Sequence, residues 1–551
     1  MTALTLTVTV DPTLPRLAWY AAYDPSVATC VVEVGALVER DPSMDPKWVV
    51  AGLWTGAFGE GGFHRSEHLF GSGLRVDDDG LHLVPASTSV ERCVYARDAK
   101  GWNLSNSLVV LLGRMNAQLD PRVDHTLWSE SPARGVHAYL RQIPVLHPVV
   151  STVNQLMYES MRLAPNGEQS FFFRDRPTAF ASYGEYVGRL EDELRTLWAN
   201  ATDPGRSHPM RAVTTTSRGY DSAAVTALVT TVLPNVVSWS APRSNTRIPS
   251  LLRGMMTVDV LDDDGRAIAR RLGAEPRVLD GSLAALPARL EAWCWASAQT
   301  PPELVFHPLL ADAANHDSPT VWFTGHAGDA VWGRRSSPAL MHGHLTRSAQ
   351  SGSSLIEARL ATGVIDCSVP YLFARNMGSI AAISDSPAMK PWQLDNDYDR
   401  PIPRRMLEER GVPRSWFGHG KKAVVHDVES PVGDELRGIF FAHGQWNPTL
   451  ESLYRSTNFA LFYASRLLHF VKLHGDRGKL LSTASRNDKR ALARYRDLHA
   501  HTFLLCVEYL RRQFVHVAPV VAVEARARVA APARVAARAR GGTRVAASVG
   551  E

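Results

Sequence analysis

The spacing of apolar residues changes along this chain and predicts where strands give way to helices. Up to about residue 125, short segments such as TLTVTV, TCVVEVGALV and WVVAGLWTG are separated by Gly and Asp turns, which predicts β-strands. At 182–201, SYGEYVGRLEDELRTLWANA places apolar residues at three- and four-residue steps, the pattern of one helix face. The N-terminal part is therefore predicted to be β-rich, with a long helix after it.

The second half of the chain alternates strand-like and helix-like segments. The runs RAVTTT, VVSWSAP, PRVLD and PTVWFTG read as four strands with helical patterns between them, and the pattern from about 340 to 510 is mostly helical. Strands that alternate with helices predict a parallel sheet, with ligands at the carboxyl ends of its strands. The predicted fold class is α/β, with an N-terminal β-rich sandwich and a C-terminal parallel-sheet domain. The predicted boundaries are 1–125 for the sandwich, 126–205 for a connecting helical segment, 206–515 for the parallel-sheet domain and 516–551 for a tail.

The composition is that of a globular protein with more than one domain. The chain has 551 residues, of which 45% are hydrophobic and 21% charged. Its five cysteines are scattered and form no CxxC pair, which argues for a reducing compartment and against a disulfide framework or a zinc site. No apolar run reaches membrane-spanning length and the first residues lack a basic leader, so we expect a cytoplasmic protein with no membrane partner.

The net charge of +5 is concentrated at one end. Residues 521–551 hold six arginines and two glutamates, so the rest of the chain is nearly neutral. This distribution gives no sign of nucleic-acid binding by the folded part. The Ala/Arg/Val tail is of low complexity and is predicted to be disordered, with binding to a nucleic acid or an acidic partner as the less favoured alternative.

The first strand of the predicted sheet leads into a tight turn and a helix. Ser217, Arg218, Gly219 and Tyr220 form the turn, and Asp221 and Ser222 begin the helix. Backbone N–H groups at a helix start are unpaired and the helix dipole favours an anion there, so a phosphate is predicted at this turn. The spacing and the Gly-Lys-Ser/Thr ending of a Walker A loop are missing.

A second polar segment follows the fourth predicted strand. It reads Thr-Gly-His-Ala-Gly-Asp-Ala-Val-Trp-Gly over 324–333 and contains Gly325, His326 and Asp329. Both segments stand at the ends of parallel strands, about a hundred residues apart in the chain. We therefore expect them to meet at one edge of the sheet.

These two segments resemble motifs of the asparagine synthetase family, which belongs to the ATP pyrophosphatase superfamily. Residues 217–222 are similar to its Ser-Gly-Gly-x-Asp-Ser pyrophosphate loop, and 324–333 to its Ser-Gly-x-Gly-x-Asp-Glu-x-Phe-Gly segment. The resemblance implies that ATP and Mg²⁺ bind, that Asp221 and Asp329 hold the metal, and that residues 217–222, Ser240 and Gly325 contact the nucleotide. Arg218 stands where the family has glycine and Ala330 where it has glutamate.

Three further residues are catalytic candidates by the same resemblance. His326 occupies a position that relatives use for handling the nucleophile, and an imidazole there could accept the proton of an attacking amine. Lys421 or Lys422, in RSWFGHGKKA, would neutralise charge on the acyl adenylate. The alternatives are a histidine that only hydrogen-bonds its loop and a solvated basic turn. We also considered Glu357 as the group that orients His326.

Two other acidic or histidine clusters are weaker metal candidates. Asp262, Asp263 and Asp264 precede a helix, where capping and the helix dipole explain them at least as well as a metal. His64 and His68 have i, i+4 spacing without a third ligand nearby.

Glutamine-dependent members of the family use an N-terminal cysteine in the sandwich, which this sequence lacks. Cys30 is the first cysteine, and a Thr2 nucleophile is the minor alternative. The resemblance is therefore closest to members without glutaminase activity, such as β-lactam synthetases and lasso peptide macrolactam cyclases.

The predicted activity is that of an ATP-dependent carbon–nitrogen ligase of specialised metabolism. It would adenylate the carboxylate of a small molecule or peptide and couple it to an amine, within one molecule or between two. The alternatives are a catalytically degenerate binding subunit and a pyrophosphate-loop enzyme with another nucleophile. A homodimer and a partner protein of the same pathway are both compatible with the sequence.

Overall fold

The computed structural model describes most of the chain up to Val515. The described residues are 4–242, 262–279, 286–300, 302–334, 343–346, 351–394, 396, 398–418, 433, 435–438 and 500–515. Lys421, Lys422 and the tail at 516–551, for which predictions were made above, lie outside them. The fold is α/β: an N-terminal pair of antiparallel or mixed sheets is followed by a parallel sheet with helices.

The first sheet has eight strands in the described residues. Their order is β1-β3-β2-β9-β8-β12-β11-β10, and the β1–β3 pair is parallel whereas the other pairs are antiparallel. The strands are β1 (Thr5–Val10), β2 (Trp19–Asp24), β3 (Thr29–Val34), β8 (Cys93–Arg97), β9 (Trp102–Ser105), β10 (Gln118–Leu119), β11 (Gln142–Leu146) and β12 (Thr152–Leu156).

The second sheet has six described strands in the order β14-β13-β7-β6-β5-β4. They are β4 (Glu39–Arg40), β5 (Trp48–Trp54), β6 (Leu69–Asp77), β7 (Gly80–Val84), β13 (Ser160–Leu163) and β14 (Gln169–Phe172). Side chains along β5 point alternately to the two faces of this sheet, so the strand contributes to two apolar layers. Its odd-numbered residues from 49 to 53 join the core shared with the first sheet, while Trp48, Val50 and Trp54 pack with Phe58 and Phe63 on the opposite face.

The prediction of a helical connecting segment at 126–205 is wrong for much of its length. Four strands, β11 to β14, occupy this part of the chain, so the paired sheets continue to Phe172 instead of ending at 125. These strands are only four or five residues long, and β14 lies at a sheet edge and β11 beside one. Only the end of the segment is the predicted helix, α3 (Tyr183–Ala201).

The third sheet is parallel throughout and carries the predicted motifs. Its described order is β17-β16-β15-β18-β19, with all four pairs parallel. The strands are β15 (Arg211–Thr215), β16 (Val237–Ser240), β17 (Glu275–Val278), β18 (Thr320–Thr324) and β19 (Val364–Ser368). The first four match the predicted runs, whereas β19 lies in a region predicted to be helical.

Helices cover both faces of this sheet. The apolar faces of α3 and α4 pack with Phe323 of β18 and Ile365 of β19. On the other face α6 and α7 pack with Val213 and Trp322. The described helices are α1 (Leu108–Arg114), α2 (Thr126–Ser129), α3 (Tyr183–Ala201), α4 (Tyr220–Val232), α5 (Arg266–Arg271), α6 (Ala288–Trp295), α7 (His307–Ala314), α8 (Gly328–Val331), α9 (Ile356–Thr362), α10 (Met377–Asp385) and α11 (Pro401–Glu409), together with residues 435–438 and 500–511.

Two sequence-based expectations concern the whole chain. Among the described helices, none combines the length and the apolar character that crossing a bilayer would require. All five cysteines are free and buried. Burial raises the pKa of the Cys30 thiol, which lies in the core of the paired sheets, to about 12.

Candidate functional site

The strand order creates a crevice at the carboxyl end of the parallel sheet. Strands β15 and β18 are neighbours at its centre, although more than a hundred residues separate their starts. From β15 the chain continues to β16 on one side, and from β18 it continues to β19 on the other. The loops after β15 and β18 therefore diverge, and this reversal of direction is where open α/β sheets bind ligands.

The loop after β15 is held by its own hydroxyl groups. The Ser217 and Ser222 Oγ atoms are 2.9 Å apart, and the Gly219 N–H donates to Ser217 Oγ at 3.1 Å. Gly219 is the N-cap of α4 and supplies no side-chain cap, whereas Ser107 and Ser182 cap α1 and α3. The N-terminus of α4 therefore directs its dipole and its first N–H groups towards the crevice, as an anion site requires.

The loop after β18 packs directly on the α4 N-terminus. A Cβ at Gly328 would lie 2.6 Å from Asp221 Cγ, and one at Gly325 would lie 2.9 Å from Asp221 Cβ. Ala327, between these glycines, has a φ of 65°, in the left-handed region. The two predicted motifs thus fit against each other, and any side chain at either glycine would push Asp221 away.

These loops border a pocket of about 300 Å³. Its walls combine loop residues with apolar side chains from the strand ends and charged side chains from three further segments. The lining residues are Thr215, Thr216, Ser217, Gly219, Tyr220, Asp221, Ser222, Trp239, Ala241, Asp263, Leu279, Glu303, Phe306, Trp322, Thr324, Gly325, His326, Ala327, Asp329, Ser351, Tyr398 and Arg400.

Two residues predicted to contact nucleotide do not line this pocket. The Arg218 guanidinium points away from it, donates to the carbonyl oxygen of Trp416 at 3.0 Å and forms an ion pair with Asp262. Ser240 is buried and its Oγ accepts the Gly265 N–H at 2.8 Å. The remaining predicted loop residues, including Gly325, do line the pocket. Arg218 has no positive φ, so its Cβ does not strain the loop.

Asp221 and Asp329 line the same pocket, together with the positively charged side chain of Arg400. Arg400, which the sequence analysis did not identify, forms an ion pair with Asp221, and its guanidinium lies 4.9 Å from the Tyr398 ring centroid. Burial lowers the pKa of Arg400, but Asp221, Tyr398 and Asp329 more than offset this effect and raise it. The electrostatic pairing places all three charges in one cluster, and a sequence alone gives no signal for a contact across 179 positions.

His326 is held by a buried aspartate on the neighbouring strand. Its Nδ1 lies 3.0 Å from Asp366 Oδ2 and 3.0 Å from Thr324 Oγ1. Ser368 also donates to Asp366. Burial alone would raise the pKa of the Asp366 carboxyl, but His326, Arg359 and Ser368 stabilise its charged form and lower the pKa. With Nδ1 engaged, Nε2 is the nitrogen left to exchange protons with a substrate.

Glu357 does not orient His326, so that hypothesis is wrong. Its carboxylate accepts from Ser107 Oγ and the Leu108 N–H and lies 3.4 Å from Arg92. The carboxylate that takes the predicted role is Asp366. It lies opposite Trp322 in the β18–β19 register, so the pairing of the strands brings it next to His326.

The other predicted metal clusters do not assemble. Asp262 pairs with Arg218, Asp264 with Arg266, and Asp263 accepts the Arg218 N–H at 3.1 Å. His64 is 3.5 Å from Asp77, whereas the His68 ring packs against Phe373. Within the part of the chain that the structure describes, no group of three or more His, Cys, Asp and Glu side chains could hold a metal.

The charged residues that line the pocket suit a complex of Mg²⁺ and a polyphosphate better than they suit the metal or the polyphosphate alone. The described lining carries the carboxylates of Asp221, Asp263, Glu303 and Asp329 against the one guanidinium of Arg400. This excess of negative charge would repel a bare polyphosphate. Mg²⁺ is commonly bound by one or two carboxylates together with phosphate oxygens, which Asp221 and Asp329 would provide. One wall of the pocket is apolar and suits the base of a nucleotide; it consists of Trp239, Ala241 and Leu279.

The segment that leads to the predicted catalytic lysines touches the first loop. The Gly418 N–H donates to the Arg218 carbonyl oxygen at 2.9 Å, and Trp416 accepts from the Arg218 side chain. Lys421 and Lys422 follow in the chain but lie outside the described residues.

The sequence was also compared with known proteins. Neither the comparison with protein-family models nor that with curated proteins returns a significant match.

Proposed function

We propose that the chain is an ATP-dependent ligase that joins a carboxylate to an amine through an acyl adenylate. The observation that supports this most is the contact of the two loops at the centre of the parallel sheet, where Gly325 and Gly328 pack on Asp221. This contact joins an anion-binding helix start to a second carboxylate, Asp329, in one pocket. The resemblance to asparagine synthetases is part of the proposal.

The first step would be adenylation. An oxygen of the substrate carboxylate forms a bond to the α-phosphorus of ATP, and the bond from that phosphorus to the β-bridging oxygen breaks. Pyrophosphate leaves with the electron pair and is held at the N-terminus of α4. Arg400 is placed to stabilise the added charge, and a bound Mg²⁺ would neutralise the pyrophosphate oxygens.

The second step would form the amide. The amine nitrogen bonds to the acyl carbon, and the bond from that carbon to the AMP oxygen breaks, so AMP leaves with the electron pair. The proton that the nitrogen then carries in excess passes to Nε2 of His326. Asp366 holds the imidazole at Nδ1 and stabilises the positive charge that forms.

ATP–pyrophosphate exchange tests the proposal. We expect the full chain with Mg²⁺ and a panel of carboxylic acids that includes peptides to support exchange with at least one acid. Asp329→Ala should lower this exchange at least 100-fold, because a bound polyphosphate loses one of its two metal carboxylates. Asp317→Ala is the matched control, since Asp317 is fully exposed and precedes the same strand.

Two results would contradict the proposal. If Asp329→Ala kept the full rate of ATP–pyrophosphate exchange, Asp329 would not be a metal ligand. If the wild-type chain gave no exchange with any acid and no Mg·ATP binding in calorimetry, the degenerate binding subunit would be the better description.

A further inference from the structure

Glu303 is a buried carboxylate in the pocket wall that neither proposed step uses. It lies just before α7, lines the pocket and has 8% of its surface exposed. Its Oε2 accepts the Gly352 N–H at 2.7 Å and the Ser354 hydroxyl at 3.0 Å. These two hydrogen bonds fix the carboxylate in place and leave Oε1 to interact with whatever fills the pocket.

No described lysine, arginine or histidine forms an ion pair with Glu303. Two other carboxylates of the site do have such a partner: the half-buried Asp221 pairs with Arg400, and the buried Asp366 pairs with His326. A buried carboxylate is costly unless a cation or several hydrogen bonds compensate it. The composition of the pocket wall therefore favours a ligand that brings its own positive charge.

Two aromatic rings line the same pocket as this carboxylate. The Phe306 and Trp322 ring centroids are 4.7 Å apart, at 60°, and both side chains line the pocket with Glu303. Aromatic faces attract organic cations, and they also accommodate the alkyl part of an amine. A carboxylate and two aromatic rings in the wall of one pocket are the combination that recognises an alkylammonium group.

The same corner of the pocket contains the proposed proton acceptor. Gly352, which donates to Glu303, has a φ of 89°, and a Cβ there would lie 2.7 Å from His326 Nδ1. Gly352 thus lies between the Glu303 and His326 side chains, and it has no side chain of its own to fill that space. Glu303 and the His326 ring therefore lie on either side of Gly352 in one part of the pocket.

We infer that Glu303 binds the amine substrate as a primary ammonium and sets the specificity for it. The identity of this cation as the nucleophile rests on the proposed ligase function. Aliphatic amines are protonated near pH 7, because their pKa is about 10. They therefore arrive charged, and an anionic site binds them in that form. No covalent bond is made or broken in this binding step.

Calorimetric titration of the full chain with n-butylammonium chloride tests the inference without requiring catalysis. n-Butanol is the neutral match, and sodium chloride corrects for ionic strength. We expect wild type to bind n-butylammonium at least tenfold more tightly than n-butanol. Glu303→Gln should remove that preference, because the amide keeps an acceptor for Gly352 and Ser354 but loses the charge. The control is Glu275→Gln at the exposed start of β17.

Three results would overturn the inference. Wild type could show no preference for n-butylammonium over n-butanol, or Glu303→Gln could keep that preference unchanged. The third is tenfold tighter binding of ethylguanidinium than of n-butylammonium, which would make Glu303 a site for a non-nucleophilic group. If Glu303→Gln disturbs folding, Glu303→Asp is the second variant. It keeps the charge and should retain part of the preference. A Mg·ATP titration of each variant reports on folding. Failure of pyrophosphate exchange in wild type would contradict the ligase function alone, so the two failures are distinguishable.

Discussion

His326 and Asp366 form the pair of residues with the clearest chemical consequence. We predict that Asp366→Asn lowers the rate of amide formation by about 100-fold or more, since the imidazole loses the carboxylate that holds Nδ1. ATP–pyrophosphate exchange should fall far less, because adenylation needs no proton transfer by His326. Equal losses in both half-reactions would show that Asp366 supports the fold of the pocket instead of its proton chemistry. Thr362→Ser, a change at a buried hydroxyl of α9 outside the pocket, serves as the control.

The pH dependence of stability gives the same variant a second readout. The folded pKa of Asp366 lies below its usual value, so its charged form stabilises the fold. That contribution is complete above the unfolded pKa of about 3.9 and is lost as the pH falls through the lower folded pKa. The stability difference between wild type and Asp366→Asn should therefore shrink as the pH falls below about 4. A difference that grows below pH 4 would contradict this assignment.

The contrast between these two residues shows what a sequence can reveal about a site. His326 was predictable because it stands in a glycine-rich segment directly after a strand. Asp366 lies 40 positions away within VIDCS, a run that also reads as part of a helical region. Its role depends on β19 pairing with β18, which is a tertiary event. Arg400 was missed for the same reason, since its partner Asp221 belongs to another segment.

At the scale of elements, short loops with distinctive residues were easier to predict than plain strands. The turn predicted at 217–220 lies between a strand and a helix as expected, although α4 begins one residue earlier, at Tyr220, because the β-branched run and the helical spacing are both local signals. The four strands at 142–172 and β19 are only four or five residues long, and pairing with neighbouring strands decides their conformation. The parallel sheet was thus predicted with four of its five described strands.

The left-handed backbone at Ala327 provides a test at the level of one loop. Ala327 has a φ of 65° at the start of α8, a conformation that disfavours any residue with a Cβ. We expect Ala327→Gly to raise the free energy of unfolding by about 1 kcal/mol. Ala330→Gly, within α8 itself, should lower it by about 0.5–1 kcal/mol. Urea unfolding of both variants checks the pair, and equal destabilisation would show that the loop has no strain at Ala327.

At the scale of the molecule, α3 packs against both the paired sheets and the helix layer of the parallel sheet. On α3, Tyr186, Leu190, Leu194 and Leu197 are at most 1% exposed, and they belong to a core that includes Leu53 of β5 and Phe323 of β18. Trp332, three residues after Asp329, donates from Nε1 to Tyr186 Oη at 3.0 Å. The β-rich part is therefore packed against the very helix layer that supports the nucleotide loops, and a boundary at 125 or 205 does not separate two cores.

This shared core predicts cooperative unfolding across the described part of the chain. Leu190→Ala should lower the free energy of unfolding by about 2–5 kcal/mol, because it leaves a cavity between the layers. Amide exchange should then lose protection in β5 and β18 together, since residues of both strands belong to the same core. Arg195→Ala on the exposed face of α3 should change stability by less than about 0.5 kcal/mol. If β5 alone lost protection, the two sheets would be independent domains, and the N-terminal part could not be a structural support for the site.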